Sequence, residues 1–240
     1  MWSICKKEIN QFFSNLTGYI AIILFLLLNG IFLFVLPDSS ILDYGYASLD
    51  KFFDLAPWVL LFLVPAIAMR SLSDEFKTGT FEILKTKPLT PWQIALGKYL
   101  SVLLVILIVI VPTFVYIVTI KTLSASGTID TGGIAGSYLG LFLLAAVFAA
   151  ISICCSSFTG NAVVAFLISV FACIVIYFGF SAISKLPFFK GSMDYYIEML
   201  GIDFHYRSIS RGVLDSRDLI YFASVIWLAL TITVKNISKK

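Results

Sequence analysis

Several stretches of this 240-residue chain are too long and too apolar to form the core of a soluble domain. The longest lacks charge from residue 131 to residue 184. A single helix of that length would far exceed a hydrocarbon core of about 30 Å, because each residue adds about 1.5 Å. Only 13% of the residues are charged and 60% are hydrophobic, whereas soluble domains have roughly 25% and 45–50%. We therefore predict an all-α integral membrane protein.

Six transmembrane helices are predicted from the apolar runs and from the polar turns that separate them. The turn inside the longest uncharged stretch is placed at residues 156–161, its one polar and flexible cluster. The second run contains Pro57 and Pro65, and it is long enough to span only if Phe52 and Phe53 extend it. Within a membrane domain of residues 19–240, the predicted spans cover about residues 19–36, 54–70, 98–120, 136–156, 162–180 and 218–235.

Residues 1–18 are predicted to form an amphipathic helix that lies at the membrane interface. Polar residues occupy one side of this helix, and Ile4 is the one residue outside the pattern. Such a helix buries its apolar side among lipid chains and keeps its polar side in water. The predicted apolar side consists of Trp2, Cys5, Ile9, Phe12, Phe13 and Leu16.

Lysine and arginine are distributed unequally between the two sides that six spans would create. The side with both termini and residues 71–97 has ten of these cations and four acidic residues, a net charge of +6. The opposite side has seven cations and ten acidic residues, a net charge of −3. Because cytoplasmic loops carry an excess of Lys and Arg, both termini are predicted to be cytoplasmic. The overall charge of +3 follows from this asymmetry and requires no nucleic acid partner.

The sequence offers few groups for catalysis. It has one histidine, His205, and no G-x-x-x-x-G-K-[ST] loop, which argues against a histidine-based metal site and against intrinsic ATP hydrolysis. The interiors of the predicted spans contain no ionisable residue, so an ion-coupled transporter or a proton pump is disfavoured. Ser152 and Ser169 are interpreted as packing residues, not as nucleophiles. We expect no catalytic residue, no metal ligand and no resident cofactor.

The charged segment at residues 71–97 is predicted to contain a short helix between two breaks. Gly79 or Thr80 can begin this helix, and it must end before Pro88, because the residue that precedes proline is displaced from helical geometry. Thr90 and Gln93 then form a predicted capping box, which begins a helix that leads into the third span. The residues alone leave open an ordinary solvated loop.

This segment, together with Lys98 after it, contains, in order, Glu75-x-Lys77-x-Gly79-Thr80-x-Glu82-x-Leu84, Pro88-Leu89-Thr90 and Gly97-Lys98. The order resembles a signature of the ABC-2 family of transporter permeases, which have a type V exporter-like fold. This resemblance implies that the loop carries a coupling helix, which docks into a separate ABC ATPase subunit that binds ATP and magnesium. We expect an exposed Phe81, with Glu82 and Leu84, at the centre of this contact. The implied coupling residues are Glu75, Lys77, Gly79, Thr80, Phe81, Glu82, Leu84 and Lys85.

The resemblance extends to residues 156–161 and 210–219, and so covers most of the chain. The chain is most similar to the permeases of gliding-motility ABC transporters, and the permease of nitrous-oxide-reductase maturation is a further six-span relative. This similarity implies the bacterial inner membrane, a second permease copy or homologous subunit, and a component with a large periplasmic domain. A membrane scaffold that transmits force and transports nothing is the alternative, whereas a membrane-embedded enzyme is disfavoured.

Three glycines are assigned to packing, and four cysteines are expected to be free thiols. Gly132, Gly136 and Gly140 repeat a small-x-x-x-small pattern, which lets a neighbouring backbone approach closely. No pair of cysteines is spaced like a secreted disulfide framework or a C-x-x-C site, so we expect free thiols and a permease dimer without a disulfide. The cysteines are Cys5, Cys154, Cys155 and Cys173.

Residues 181–217 are extracytoplasmic in the predicted topology. They contain many aromatic side chains among charges, which favours short helices that dip into the outer membrane interface. His205 lies in this segment, and no second His or Cys is close to it in the sequence. We therefore interpret His205 as an interfacial polar tip and not as a metal ligand.

Overall fold

The computed structural model describes residues 1–36, 48–124, 130–187, 193–212 and 215–239, and all regular structure in these ranges is helical. A 3-10 turn (Val111–Phe114) and a π-helical turn (Val175–Gly179) each join two successive α-helices. The α-helices are α1 (Trp2–Ser14), α2 (Leu16–Phe34), α3 (Asp50–Ala68), α4 (Arg70–Thr78), α5 (Thr80–Lys85), α6 (Pro91–Ile110), α7 (Val115–Leu123), α8 (Thr131–Phe158), α9 (Ala162–Ile174), α10 (Phe180–Ser184), α11 (Asp194–Glu198), α12 (Ile202–Ile209) and α13 (Ser216–Lys239).

The predicted all-α membrane fold is confirmed. Among the described residues, five helical segments are long and apolar enough to cross a membrane, and a sixth is counted if α1 and α2 form one bent crossing. The axes of that pair differ by 73°. The five segments are Asp50–Thr78, Pro91–Leu123, Thr131–Phe158, Ala162–Ser184 and Ser216–Lys239.

The helices extend beyond the predicted spans. The second spanning helix continues past residue 70 through α4, after a short interruption at Met69. The third begins at Pro91, after the predicted Thr90 cap, and so includes residues before the predicted span. Hydropathy falls where a chain leaves the lipid, but a helix ends only where a cap or a breaker stops it. The first part of residues 71–97 is therefore a continuation of α3.

Helix α8 forms the centre of the bundle, where it packs against α3, α6, α9 and α13. Its buried positions run from Gly136 to Ser157 and include many alanines, glycines and serines. Small side chains let neighbouring backbones approach closely in the absence of a strong hydrophobic drive between helices in lipid. This composition explains why α8 is the most enclosed of the spanning helices.

The two ends of the bundle carry different elements. The terminal end consists of α1, α4, α5, the turn between α8 and α9, and the last turns of α13; there Asn236 Nδ2 donates to the backbone oxygen of Ser157 at 2.7 Å. The distal end contains α12 and the first turns of α3 and α8. At that end the hydroxyl of Tyr206 donates to the backbone oxygen of Phe53 at 2.7 Å. The segment of residues 71–97 thus lies opposite to α12.

Close packing by small residues is present, but not at all three predicted glycines. A Cβ added at Gly136 would lie 3.0 Å from the Cα of Gly212, and one at Gly140 would lie 2.7 Å from Cγ2 of Ile209. At Gly132 it would meet only Asp130 of the same turn, at 3.6 Å. Among the described residues, Gly132 therefore meets no neighbouring element, and the packing role predicted for it is not seen there. The partner of the other two is the end of α12 and not another spanning helix.

Helix α1 packs against α6. Of the predicted apolar side, Cys5 is buried and Phe12 and Phe13 are partly buried against the core. Ile4, which lay outside the predicted pattern, is buried, whereas Trp2 and Leu16 are 67% and 74% exposed. Gly97 in α6 makes room for this contact, since a Cβ there would lie 3.1 Å from the Cβ of Ile4. The predicted amphipathic helix therefore rests on the protein.

Candidate functional site

The predicted short helix and capping box are both confirmed. Helix α5 is a six-residue helix, and Gly79 precedes it with a φ of +70°, a left-handed conformation that suits glycine. Thr90 Oγ1 accepts a hydrogen bond from Gln93 N at 3.3 Å, and Thr90 N donates to Gln93 Oε1 at 3.1 Å. These caps fix the directions in which the chain leaves α4 and enters α6. We call residues 70–85, comprising α4 and α5, the α4–α5 segment.

The residues predicted to couple to an ATPase do not form one exposed surface. Glu75 and Phe81 are buried, and Leu84 is half-buried. Phe81 is 4% exposed and packs edge-on against Phe76, with ring centroids 4.9 Å apart. The exposed members are Lys77, Gly79, Thr80, Glu82 and Lys85.

The expectation of an exposed Phe81 is therefore wrong. Its side of α5 faces α4, and the opposite side carries Ile83, which is 63% exposed. Lys85 extends back over the ring of Phe81, with Nζ 5.6 Å from its centroid. Phe81 and Leu84, the apolar pair at i and i+3 of this six-residue helix, stabilise the local fold. Ile83 forms the accessible apolar surface of the helix. The sequence shows the spacing of the apolar residues in α5 but not which side of this helix is covered by α4.

A buried cluster of four charged residues joins three helices at the terminal end. Lys98 of α6 has no solvent exposure, and its Nζ lies 2.9 Å from Glu8 Oε1 of α1 and 3.0 Å from Glu75 Oε2 of α4. The same ammonium donates to the backbone oxygen of Ser71. Lys7 donates to Glu75 Oε1 at 3.1 Å from the exposed side.

This cluster is electrically balanced, with two lysines and two glutamates. An ammonium group has three donors; Lys98 donates to Glu8 Oε1 and to Ser71 O, whereas its 3.0 Å contact with Glu75 Oε2 is an ion pair without a hydrogen bond. Burial of a charge is tolerated when it is paired and hydrogen-bonded. Sequence reasoning missed the cluster because its members are far apart along the chain; the available signal was Lys98 itself, a cation at the edge of a long apolar run. Glu75 thus belongs to an internal ion pair and not to an exposed docking surface.

Two adjacent serines of α8 fasten other parts of the terminal end. Ser156 Oγ accepts hydrogen bonds from the backbone nitrogens of Leu72 and Ser73, both at 3.1 Å, and donates to Met69 O at 3.0 Å. The first N–H groups of a helix lack intrahelical partners, and the interruption at Met69 creates such groups in the buried end of the bundle. Ser157 Oγ accepts from Asn236 of α13 at 2.9 Å. The central helix thus holds both the α4–α5 segment and the last helix.

The distal end contains a second buried polar group. His205 Nδ1 lies 2.6 Å from Asp218 Oδ1, and Nε2 lies 2.9 Å from the backbone oxygen of Met199. Both ring nitrogens therefore face acceptors, an arrangement that a doubly protonated imidazolium satisfies. The ring also stacks on Tyr221 at 4.0 Å. The interpretation of His205 as an interfacial polar tip is wrong, because Asp218 and the Tyr221 ring enclose it.

The surroundings of the His205–Asp218 pair are also buried and acidic. Burial, together with the neighbouring Tyr177, Asp54 and Asp203, raises the pKa of Tyr206 well above its usual value. Asp203 is held by Arg207, whose Nε donates to Oδ1 at 3.0 Å. Across the described part of the chain, no group of three or more His, Cys, Asp or Glu residues is arranged to hold a metal ion. These contacts fasten α12 between α3 and α13.

Comparison with known proteins finds one family. The family described as ABC-2 family transporter protein matches residues 36–200, which is more than half of the chain. The matched residues include the α4–α5 segment, Lys98 and the turn between α8 and α9. No curated protein sequence matches this chain.

Proposed function

The chain belongs to the ABC-2 transporter family, and we propose that this multi-pass membrane permease couples ATP hydrolysis by a separate ATPase subunit to export or to periplasmic work. The observation that carries the proposal is the buried Lys98 cluster. It joins the α4–α5 segment, which has an exposed short helix, to α6 in the membrane and to α1. A subunit that docks on α5 can therefore move spanning helices.

Helix α5 is suited to docking because little of it is used internally. A helix of six residues is not stable alone in water, and Phe81 and Leu84 hold it against the protein. Ile83 and Glu82 point outward, and Lys85 and Lys87 are exposed nearby. A partner groove with a small apolar pocket for Ile83 and with both signs of charge at its rim fits this surface.

Transmission requires that the docked helix does not move independently of the membrane domain. Ser156 binds the start of α4, and Lys98 binds its middle through Glu75. A displacement of α5 would therefore be passed to α8 and α6 at the same time. This reasoning supports a coupling role for the predicted residues Lys77, Gly79, Thr80, Glu82 and Lys85 at the surface, with Glu75, Phe81 and Leu84 as internal supports.

The proposal includes the location and the assembly. The excess of Lys and Arg on the side with the terminal end supports cytoplasmic termini and an inner-membrane location. A second permease copy or a homologous subunit would complete the pathway, and a component with a large periplasmic domain fits the resemblance to gliding-motility permeases. ATP and magnesium would be bound by the ATPase and not by this chain. Mass measurement of the intact complex tests the assembly, and a single permease chain per ATPase pair would contradict it.

A pull-down from native membranes tests the docking surface. Ile83→Ala should weaken retention of the ATPase about tenfold, because truncation of a central apolar contact costs on the order of 1–2 kcal/mol. Ile183→Ala is the matched control, since Ile183 is 43% exposed in α10 at the distal end. Both variants leave the buried contacts of α5 intact. If the two variants retain the ATPase equally with unchanged affinity, α5 is not the docking helix.

A further inference from the structure

A cavity of about 330 Å³ opens at the terminal end, between α1 and the helices α2, α3, α4 and α6. Its lining changes along the bundle axis. Apolar side chains such as Ile67, Val102 and Val105 line the part within the spanning helices, whereas Gln11, Arg70 and Asp74 line the part at the end. A polar mouth above an apolar interior, at the level of an interfacial helix, is the profile of a lipid molecule and not of a soluble metabolite.

Two charged groups of the cavity lining are left without an ion pair in the described part of the chain. Arg70 and Asp74 are four residues apart on α4, yet neither forms an ion pair within the described residues. Glu8, the other carboxylate of the lining, is already bound by Lys98. The available charges are therefore one guanidinium and one carboxylate.

A third group of the lining is buried without a partner. Ser71 is 6% exposed, and its hydroxyl has no hydrogen-bond partner within the described part of the protein. Because a buried polar group that lacks a partner costs free energy, this hydroxyl indicates that the cavity normally holds a polar molecule. Ser71 directly follows Arg70 in the sequence, and both residues line the cavity.

We propose that this cavity binds an ethanolamine phospholipid, with its phosphate on Arg70 and its ammonium on Asp74. A guanidinium binds phosphate oxygens through two parallel hydrogen bonds. A primary ammonium donates to the carboxylate of Asp74 and to the amide oxygen of Gln11, which a choline group cannot do because it has no N–H. The acyl chains extend along Ile67 and Val105.

Anionic lipids fit the site less well. An anionic headgroup would satisfy Arg70 but would leave Asp74 without a partner, with the carboxylate of Glu8 also in the lining. The bound lipid would contact α1 and α4 together, beside the Lys98 cluster. It therefore stabilises the position of α1 against the α4–α5 segment.

Native mass spectrometry of the full-length chain in detergent tests the site. The chain is mixed with equal amounts of phosphatidylethanolamine, phosphatidylcholine and phosphatidylglycerol of the same acyl composition. We expect one phosphatidylethanolamine to be retained at collision energies that remove the other two lipids. Equal retention of all three lipids, or preference for phosphatidylglycerol, would overturn the proposal without any variant being made.

Two variants then place the lipid. Asp74→Asn and Arg70→Gln should each lower the retained fraction of phosphatidylethanolamine about tenfold, and Asp74→Asn should also reduce its preference over phosphatidylcholine. Lys77→Gln is the matched control, because Lys77 is exposed on the same helix and does not line the cavity. The elution volume of each variant in size-exclusion chromatography shows whether it is folded. If folded Asp74→Asn and Arg70→Gln retain the lipid as the control does, the lipid binds elsewhere.

Discussion

Lys98 shows how one residue can determine the arrangement at the end of a bundle. A lysine at the edge of a membrane helix usually extends its ammonium toward the interface, whereas this one is fully enclosed by Glu8, Ser71 and Glu75. The enclosure requires α1 and α4 to be in place at once. Removal of the lysine would leave two carboxylates close together with no cation between them on the buried side.

Lys98→Ala should therefore destabilise the protein strongly. The loss of one partner of a buried ion pair costs about 3–5 kcal/mol; here Glu8 loses its cation, and Glu75 keeps only the exposed Lys7. Thermal unfolding of the purified chain in detergent measures the effect. Lys77→Ala is the control, because Lys77 is an exposed lysine on α4, and it should change stability by less than about 0.5 kcal/mol. Equal melting temperatures for the two variants would show that the cluster does not hold the helices together.

Residue types and spacings predicted local features better than they predicted contacts between residues far apart in the sequence. The Thr90 cap and the Gly79 turn depend on residues within three positions, and both were predicted. The environments of Phe81 and His205 were not predicted. The burial of Phe81 depends on which side of α5 meets α4, and that of His205 depends on Asp218 in another helix. Tertiary packing decides such environments, and a single sequence contains no direct record of it.

At the scale of elements, α8 is held by small residues on one side and by serine hydroxyls at its end. Gly136 and Gly140 admit the end of α12, and Ser137 Oγ donates to Ser210 O at 2.7 Å in the same contact. The sequence predicted the close approach but not its partner. The reason is that α12 is short and polar, so the hydropathy pattern did not identify it as a packing element.

The glycines differ enough to test this contact within one helix. Gly136→Ala should cost about 1–3 kcal/mol, because the new Cβ would lie 3.0 Å from the backbone of Gly212, which cannot move as a side chain can. Gly132→Ala should be neutral or slightly stabilising, since the nearest atom is 3.6 Å away and alanine favours helix. The midpoint of thermal unfolding compares the two. A larger loss for Gly132→Ala than for Gly136→Ala would contradict the packing described at the distal end.

At the scale of the whole molecule, the arrangement of the ends supports the predicted topology. Helix α1, the α4–α5 segment and the last turns of α13 lie at one end, and α12 lies at the other. The five spans that the structure shows and the shared end of the termini could be predicted, because apolar runs and charge counts are additive along the chain. The lengths of the helices beyond the membrane could not be predicted, because α4 is polar and continues α3 through hydrogen bonds with Ser156.

The orientation of the two ends predicts a pattern of chemical labelling. Lys239→Cys places a thiol at the terminal end and Arg211→Cys places one at the distal end, both at exposed positions. The native cysteines are buried, so the unmodified chain serves as the background control.

A charged maleimide that cannot cross the inner membrane should label Arg211→Cys in cells with a permeabilised outer membrane, and should label Lys239→Cys only after lysis. The reason is the net charge of +6 on the side with the terminal end, which the positive-inside rule places in the cytoplasm. Labelling of Lys239→Cys before lysis, with Arg211→Cys protected, would invert the topology and remove α5 from the reach of a cytoplasmic ATPase.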